Sequence, residues 1–196
     1  MIRNRRKMVR SALFAALIAA TALFFRVSSG IVPFSLVPLV IILGGLLLEP
    51  DEALTGTSLY LALGLVGFPV FAAPPFGGPM YVLQPTFGFL LGFLWSAPLL
   101  AFMVQRSRRR TFTRLCLLSG VAMGLLYLPG LIYLWLVLNF IMGVDTGIAR
   151  VFSIGFWPFI GPDILKALCA ALLAWRLRRL PWVAHSRKEI IVEMNR

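Results

Sequence analysis

Long apolar stretches broken by short polar ones organise this chain. Six can be marked, at about 11–28, 31–48, 53–73, 81–105, 115–142 and 151–175. Most reach the ~17–25 residues that a helix needs to cross a hydrocarbon core. In lipid each backbone amide must be satisfied within its own segment, so helices are the assignment. The second stretch, "IVPFSLVPLV", carries Pro33 and Pro38. These prolines predict an irregular start, buried against protein or lining a cavity, and then a helix over 39–48. The opening "MIRNRRKMVR" followed by "SALFAALIAATALFF" has the basic and apolar regions of a signal peptide but no cleanly placed small-x-small site, which predicts an uncleaved first helix. No repeat or linker divides the rest. The expected organisation is one six-helix membrane domain over 1–180 and a basic cytoplasmic tail over 181–196.

Composition agrees with that pattern. The 196 residues are 60% hydrophobic and 13% charged, which marks an all-α integral membrane protein. The net charge of +12 suggests a nucleic-acid partner until its distribution is inspected. The basic residues gather at the edges of apolar runs: Arg3, Arg5, Arg6, Lys7 and Arg10; then Arg106, Arg108, Arg109, Arg110 and Arg114; then Arg176, Arg178, Arg179, Arg187 and Lys188. None is interleaved with aromatics along a soluble groove, which argues against nucleic acid. Even numbers of crossings separate the three clusters, so the positive-inside rule places all of them, and both termini, on the cytoplasmic side of the cell membrane. The acidic "EPDE" turn at Glu49–Glu52 falls on the same side, where acids weigh little in that rule.

Chemistry-bearing residues are few. Asp163 and Lys166 lie inside "WPFIGPDILKALCAALLAW". A charge near the bilayer centre costs at least ~2.5–3.5 kcal/mol, so such residues face the bundle interior and pair. A spacing of three puts both on one helix face, and Gly161-Pro162 suits a helix start whose dipole favours the carboxylate. Either the pair fastens this helix to a neighbour or it forms the polar end of an apolar pocket. Gln84 and Thr86 flank Pro85 at the head of the fourth helix, and apolar walls with a few convergent polar groups describe a small-molecule site. In the first helix Ala12, Ala16 and Ala20 form one ridge of small residues, and Ala15 and Ala19 an adjacent one. Such ridges allow close helix approach, within the bundle or to a partner. Cys116 and Cys169 read as small core hydrophobes, and His185 stands alone in the polar tail, so no metal site is expected. No G-x-x-x-x-G-K-[ST] loop, G-x-S-x-G or H-E-x-x-H appears, which leaves neither an ATPase nor an activated nucleophile.

The stretches "VPFSLVP", "YLALGLVGFPVFA", "GGPMYVLQPTFGFLLGF" and "WPFIGPDILKALCAALLA", in this order, resemble the BioY family. These are biotin-specific substrate-binding (S) components of energy-coupling factor transporters. The resemblance implies an S-component fold and no enzymatic activity or cofactor, with biotin as the transported ligand. It also implies a transmembrane coupling protein and two ATPase subunits as partners, met through the alanine ridges of helix one. "VPFS", with Phe34 and Ser35, becomes a candidate lid, and Phe34, Tyr60, Phe71 and Tyr81 become candidate walls. Two poses fit: Asp163 and Lys166 meet the ureido ring, or Lys166 takes the carboxylate while Gln84 and Thr86 hold the ring. The chain departs from the family pattern at Val40 and Ile42, in "QPTFGF", and at Gly161-Pro162-Asp163. Another vitamin or hydrophobic acid therefore remains an alternative ligand, with an intramembrane enzyme a remote one.

Overall fold

The structure is a computed structural model that describes residues 2–24, 32, 35–107 and 110–178. Phe34 and the tail over 181–196 lie outside the described residues. What is described is all helical, without strands: α1 (Ile2–Phe24), α2 (Val37–Leu47), α3 (Pro50–Val66), α4 (Phe87–Arg106), α5 (Phe112–Leu136), α6 (Ile148–Gly155) and α7 (Trp157–Leu177). A short 3-10 turn, Pro79–Leu83, precedes α4, and a π-turn, Val137–Ile141, prolongs α5. Among the described residues four helices are long and apolar enough to cross a membrane: α1, α4, α5 with its π-turn, and α7.

α2 is short but central. It packs on α1, α4, α5 and α7, with Ile41, Ile42 and Leu46 fully buried. Pro38 sits in its first turn, where a missing N–H costs nothing, and the Ser35 hydroxyl accepts the Val37 amide at 3.1 Å. The helix therefore starts two residues earlier than the prolines suggested. Close approach to its neighbours comes from two glycines. A Cβ on Gly45 would stand 2.8 Å from the Ala97 carbonyl of α4, and one on Gly44 would collide with the Phe14 ring of α1. Gly56 of α3 completes the notch that receives Phe14.

Small residues also set the α4–α5 contact. A Cβ on Gly92 would lie 2.3 Å from the Leu126 carbonyl, and one on Gly88 would lie 2.7 Å from that of Pro129. In lipid, where apolar side chains gain little by leaving solvent, such backbone proximity is the main source of helix association.

The sixth apolar stretch is not one helix. α6 ends at Gly155 and α7 starts at Trp157, with Phe156 at φ −125° and ψ −62° between them. Pro158 explains the break: its ring and missing N–H cannot continue a helix that would bond back to Ile154. The expected start at Gly161-Pro162 is therefore a turn and more too late. Pro162 lies inside α7, and Asp163 draws nothing from a helix N-terminus.

At the basic end the "EPDE" acids have local uses. Glu49 caps α3, its amide donating to Glu52 Oε2 at 2.9 Å while its side chain accepts the Glu52 amide. Lys7 lies 2.7 Å from Glu49 and 2.6 Å from Asp51, and Arg10 lies 3.4 Å from Glu52. The Arg178 guanidinium, at the end of α7, donates to the Leu46 carbonyl at the end of α2.

Candidate functional site

The opposite end of the bundle holds a cleft with about 630 Å³ of atom-free space, its open mouth included. Six helices and a loop contribute. α2 brings Val37 and Pro38, α3 Tyr60, α4 Phe89, Leu90 and Phe93, α5 Leu126 and Tyr127, α6 Gly155, and α7 Phe159, Asp163 and Lys166. Ser35, Ala72, Tyr81 and Thr86 stand around them.

The loop after α3 is held in place by its own backbone. α3 stops at Gly67, whose φ of 120° suits glycine, and the Gly78 amide returns to donate to the Gly64 carbonyl at 2.7 Å. Gly64 has no side chain because the Phe71 ring occupies that space. Phe71 then meets Tyr60 edge-on at 5.6 Å and Tyr81 at 4.4 Å. Tyr60 and Tyr81 form the wall of the cleft, whereas Phe71 stands behind them as their backing and does not line it. The Tyr60 hydroxyl donates to the Val70 carbonyl at 3.2 Å. The Tyr81 and Thr86 hydroxyls share a hydrogen bond at 3.1 Å. Gln84, half-buried, ends the 3-10 turn and is not part of the lining.

Asp163 and Lys166 are both buried in the cleft, 4% and 5% exposed. The ammonium donates to Asp163 Oδ1 at 2.6 Å. The other carboxylate oxygen accepts from the Tyr127 hydroxyl of α5 at 2.5 Å. Each oxygen thus has a donor, which makes this buried charge tolerable. Tyr127 is in turn packed edge-on against Phe89 at 6.0 Å and Phe156 at 5.1 Å. Sequence reasoning missed Tyr127, Phe89, Phe93 and Phe159. Phe89 stands in the "QPTFGF" departure without a site role, and Phe93 and Phe159 read as ordinary apolar text. The one signal that could have raised Tyr127 is the rule that a buried tyrosine seeks a hydrogen-bond partner.

The structure thus gathers Asp163, Lys166, Thr86, Tyr81, Ser35 and Tyr60 into one lining, with Phe71 behind it and Gln84 beside it. The helix-one ridges part company. Ala15 is buried and Ala19 packs against the core, while Ala12 and Ala16 are exposed and Ala20 is half-exposed. Phe14 and Ile18, both buried, pull the Ala15 side inward.

An asymmetric cleft of this kind, apolar walls ending in one compensated ion pair, suits a molecule with a polar head and an apolar body. Over 186 residues the chain is 34% identical to the probable biotin transporter BioY of Lysinibacillus sphaericus, covering 95% of this chain and 93% of that protein. It is 32% identical to the biotin transporter BioY of Thermotoga maritima, covering 89% and 97%. In fold it matches a crystal structure of the S-component for biotin from an ECF-type ABC transporter, with a TM-score of 0.76 over 91% of this chain and 93% of that one, at 23% identity. Residues 2–181 match the BioY family pattern, and the chain belongs to that family.

Proposed function

We propose that this protein captures biotin as the S component of an energy-coupling factor uptake system, performing no covalent chemistry of its own. The observation that carries the reading is the cleft, closed at one end by Asp163, Lys166 and Tyr127 in a chain of this family. Biotin fits it group by group. Its ureido N–H groups need acceptors and its carbonyl a donor, and the carboxylate–ammonium pair offers both. The thioether ring and acyl chain match Phe89, Phe93, Phe159, Tyr60 and Tyr81. The carboxylate lies toward the mouth, near Ser35 and Thr86. The position of Gln84 outside the lining favours this pose over one in which Gln84 holds the ring.

The chain crosses the plasma membrane six times, with α6 and α7 together completing the last crossing and both termini in the cytoplasm. The positive-inside distribution supports this, since Arg10, Arg106 and Arg176 all lie at the end away from the cleft. The cleft then opens outward. Uptake against a gradient draws on a transmembrane coupling protein and two ATPase subunits, for the sequence has no phosphate-binding loop. Of the two small-residue ridges, Ala12, Ala16 and Ala20 form the outward one and make the docking face, with Ala15 and Ala19 bracing it from inside.

Titration of the purified chain in mild detergent tests the ligand, with saturable biotin binding expected. A folded protein that ignores biotin but retains another copurifying molecule would overturn the reading. Ala16→Leu tests the partner face. It should preserve biotin binding by the isolated chain and abolish copurification with the ATPase subunits. Full recovery of the complex would remove this face from the interface.

A further inference from the structure

The Tyr127 hydroxyl has one proton, and Asp163 already holds it. The 2.5 Å bond runs between two buried side chains, and an ionised carboxylate only accepts, so its direction cannot reverse. Lys166 donates to the other oxygen at 2.6 Å, so the carboxylate is fixed from both sides. The Tyr127 ring stands between Phe89 of α4 and Phe156 before α7, so the oxygen cannot swing away. Tyr127 lines the cleft, and the only hydrogen-bonding capacity its oxygen has left is lone pairs. Donation to a carboxylate also makes a hydroxyl oxygen a better acceptor, because successive hydrogen bonds polarise one another.

We propose that Tyr127 is a specificity-determining residue, an acceptor locked in one sense by Asp163 that reads an N–H of the ligand's ring. The inference rests on the reading that the ureido ring of biotin lies beside the ion pair, and it assigns one of the two ring N–H groups to Tyr127. A ligand presenting a donor there is matched, whereas one presenting a carbonyl, an ether oxygen or a methylene meets lone pairs it cannot satisfy. Asp163 acquires a second duty, orienting Tyr127 as well as meeting the ligand.

The test compares biotin with two analogues of the same shape, each with one or the other ureido N–H replaced by CH₂, on the parent and on Tyr127→Phe. Ligand-free thermal stability is followed in parallel. The parent should disfavour one analogue by at least ~tenfold, the scale of one lost hydrogen bond to a charged network. In Tyr127→Phe biotin should bind more weakly, and discrimination at that nitrogen should shrink to less than about threefold while the other nitrogen is read as before. Equal loss for all three ligands, with ratios unchanged, would mean that Tyr127 only supports the fold, and the proposal would be wrong. Should Tyr127→Phe fail to fold, p-aminophenylalanine at the same position retains a donor for Asp163 while turning an N–H toward the ligand. That protein should be stable and bind biotin poorly; parental affinity there also overturns the proposal. A parent that binds no biotin would overturn the functional reading, and with it this inference.

Discussion

The two ends of the bundle carry the same kind of chemistry in opposite settings. At the basic end Lys7 meets Glu49 and Asp51 with side chains 26%, 48% and 59% exposed. At the cleft end Lys166 meets Asp163 with both side chains 6% exposed. The ammonium–carboxylate distances are almost equal, 2.6–2.7 Å at one end and 2.6 Å at the other. Distance therefore says little about what each pair does. Water already solvates the first group, so its pairing contributes little. The second has left water altogether, so each partner depends on the other and on Tyr127. The exposed pairs trim the attachment of α1 to α3. The buried pair decides whether α7 is compatible with its surroundings.

This contrast is sharpest in single deletions. Lys166→Ala leaves the Asp163 carboxylate buried with the Tyr127 hydroxyl still donating to it, and loss of one partner from a buried pair costs ~3–5 kcal/mol. We expect thermal unfolding in detergent at a markedly lower temperature and no measurable biotin binding. A parental melting temperature would show that the cleft interior is far wetter than its burial implies.

The paired replacement Asp163→Asn with Lys166→Gln separates charge from shape. It cancels both charges, retains polarity and should restore stability close to the parent, while biotin affinity falls at least ~tenfold, about 1.4 kcal/mol. Parental affinity in a stable double variant would reduce the pair to a fastening between α7 and α5. The two ends would then differ in burial but not in role.

The smallest effect belongs to the basic end. Lys7→Ala should change stability by less than ~1 kcal/mol, and raising salt to 1 M, where the screening length is ~3 Å, should erase most of that difference. A salt-independent loss of several kcal/mol would place Lys7 in the same class as Lys166.

Much of this architecture is legible in the sequence because lipid is a strict solvent. It forces apolar residues into helix-length runs and displaces Lys and Arg to the edges, so α4 and α5 fall close to where those runs lie, whereas α1 reaches back to Ile2 through the basic stretch before its run. It also makes Asp163 and Lys166 conspicuous. The less legible features depend on contacts between distant positions. Tyr127 is 36 residues from Asp163, and nothing local distinguishes it from a tyrosine anchored at a membrane interface. The alanine ridges differ by one position in a 3.6-residue period, and only the bulky Phe14 and Ile18 decide which faces in. The helix break illustrates a further difficulty. Two prolines, Pro158 and Pro162, lie near the start of α7, and a membrane helix accommodates one inside it, so a proline alone does not mark a boundary. Gln84 and Thr86 are two residues apart, yet only Thr86 reaches the lining, because Gln84 still belongs to the preceding turn.

Tyr127 lies on α5, and α7 follows it in the chain. During biogenesis, with the polypeptide threaded into the bilayer from its N-terminal side, α2, α3, α4 and α5 come before the helix that carries the two charges. The carboxylate and ammonium of α7 then need not face bare hydrocarbon, since the hydroxyl that receives Asp163 precedes them. Order of synthesis brings this costly segment in after the helices that receive its charges.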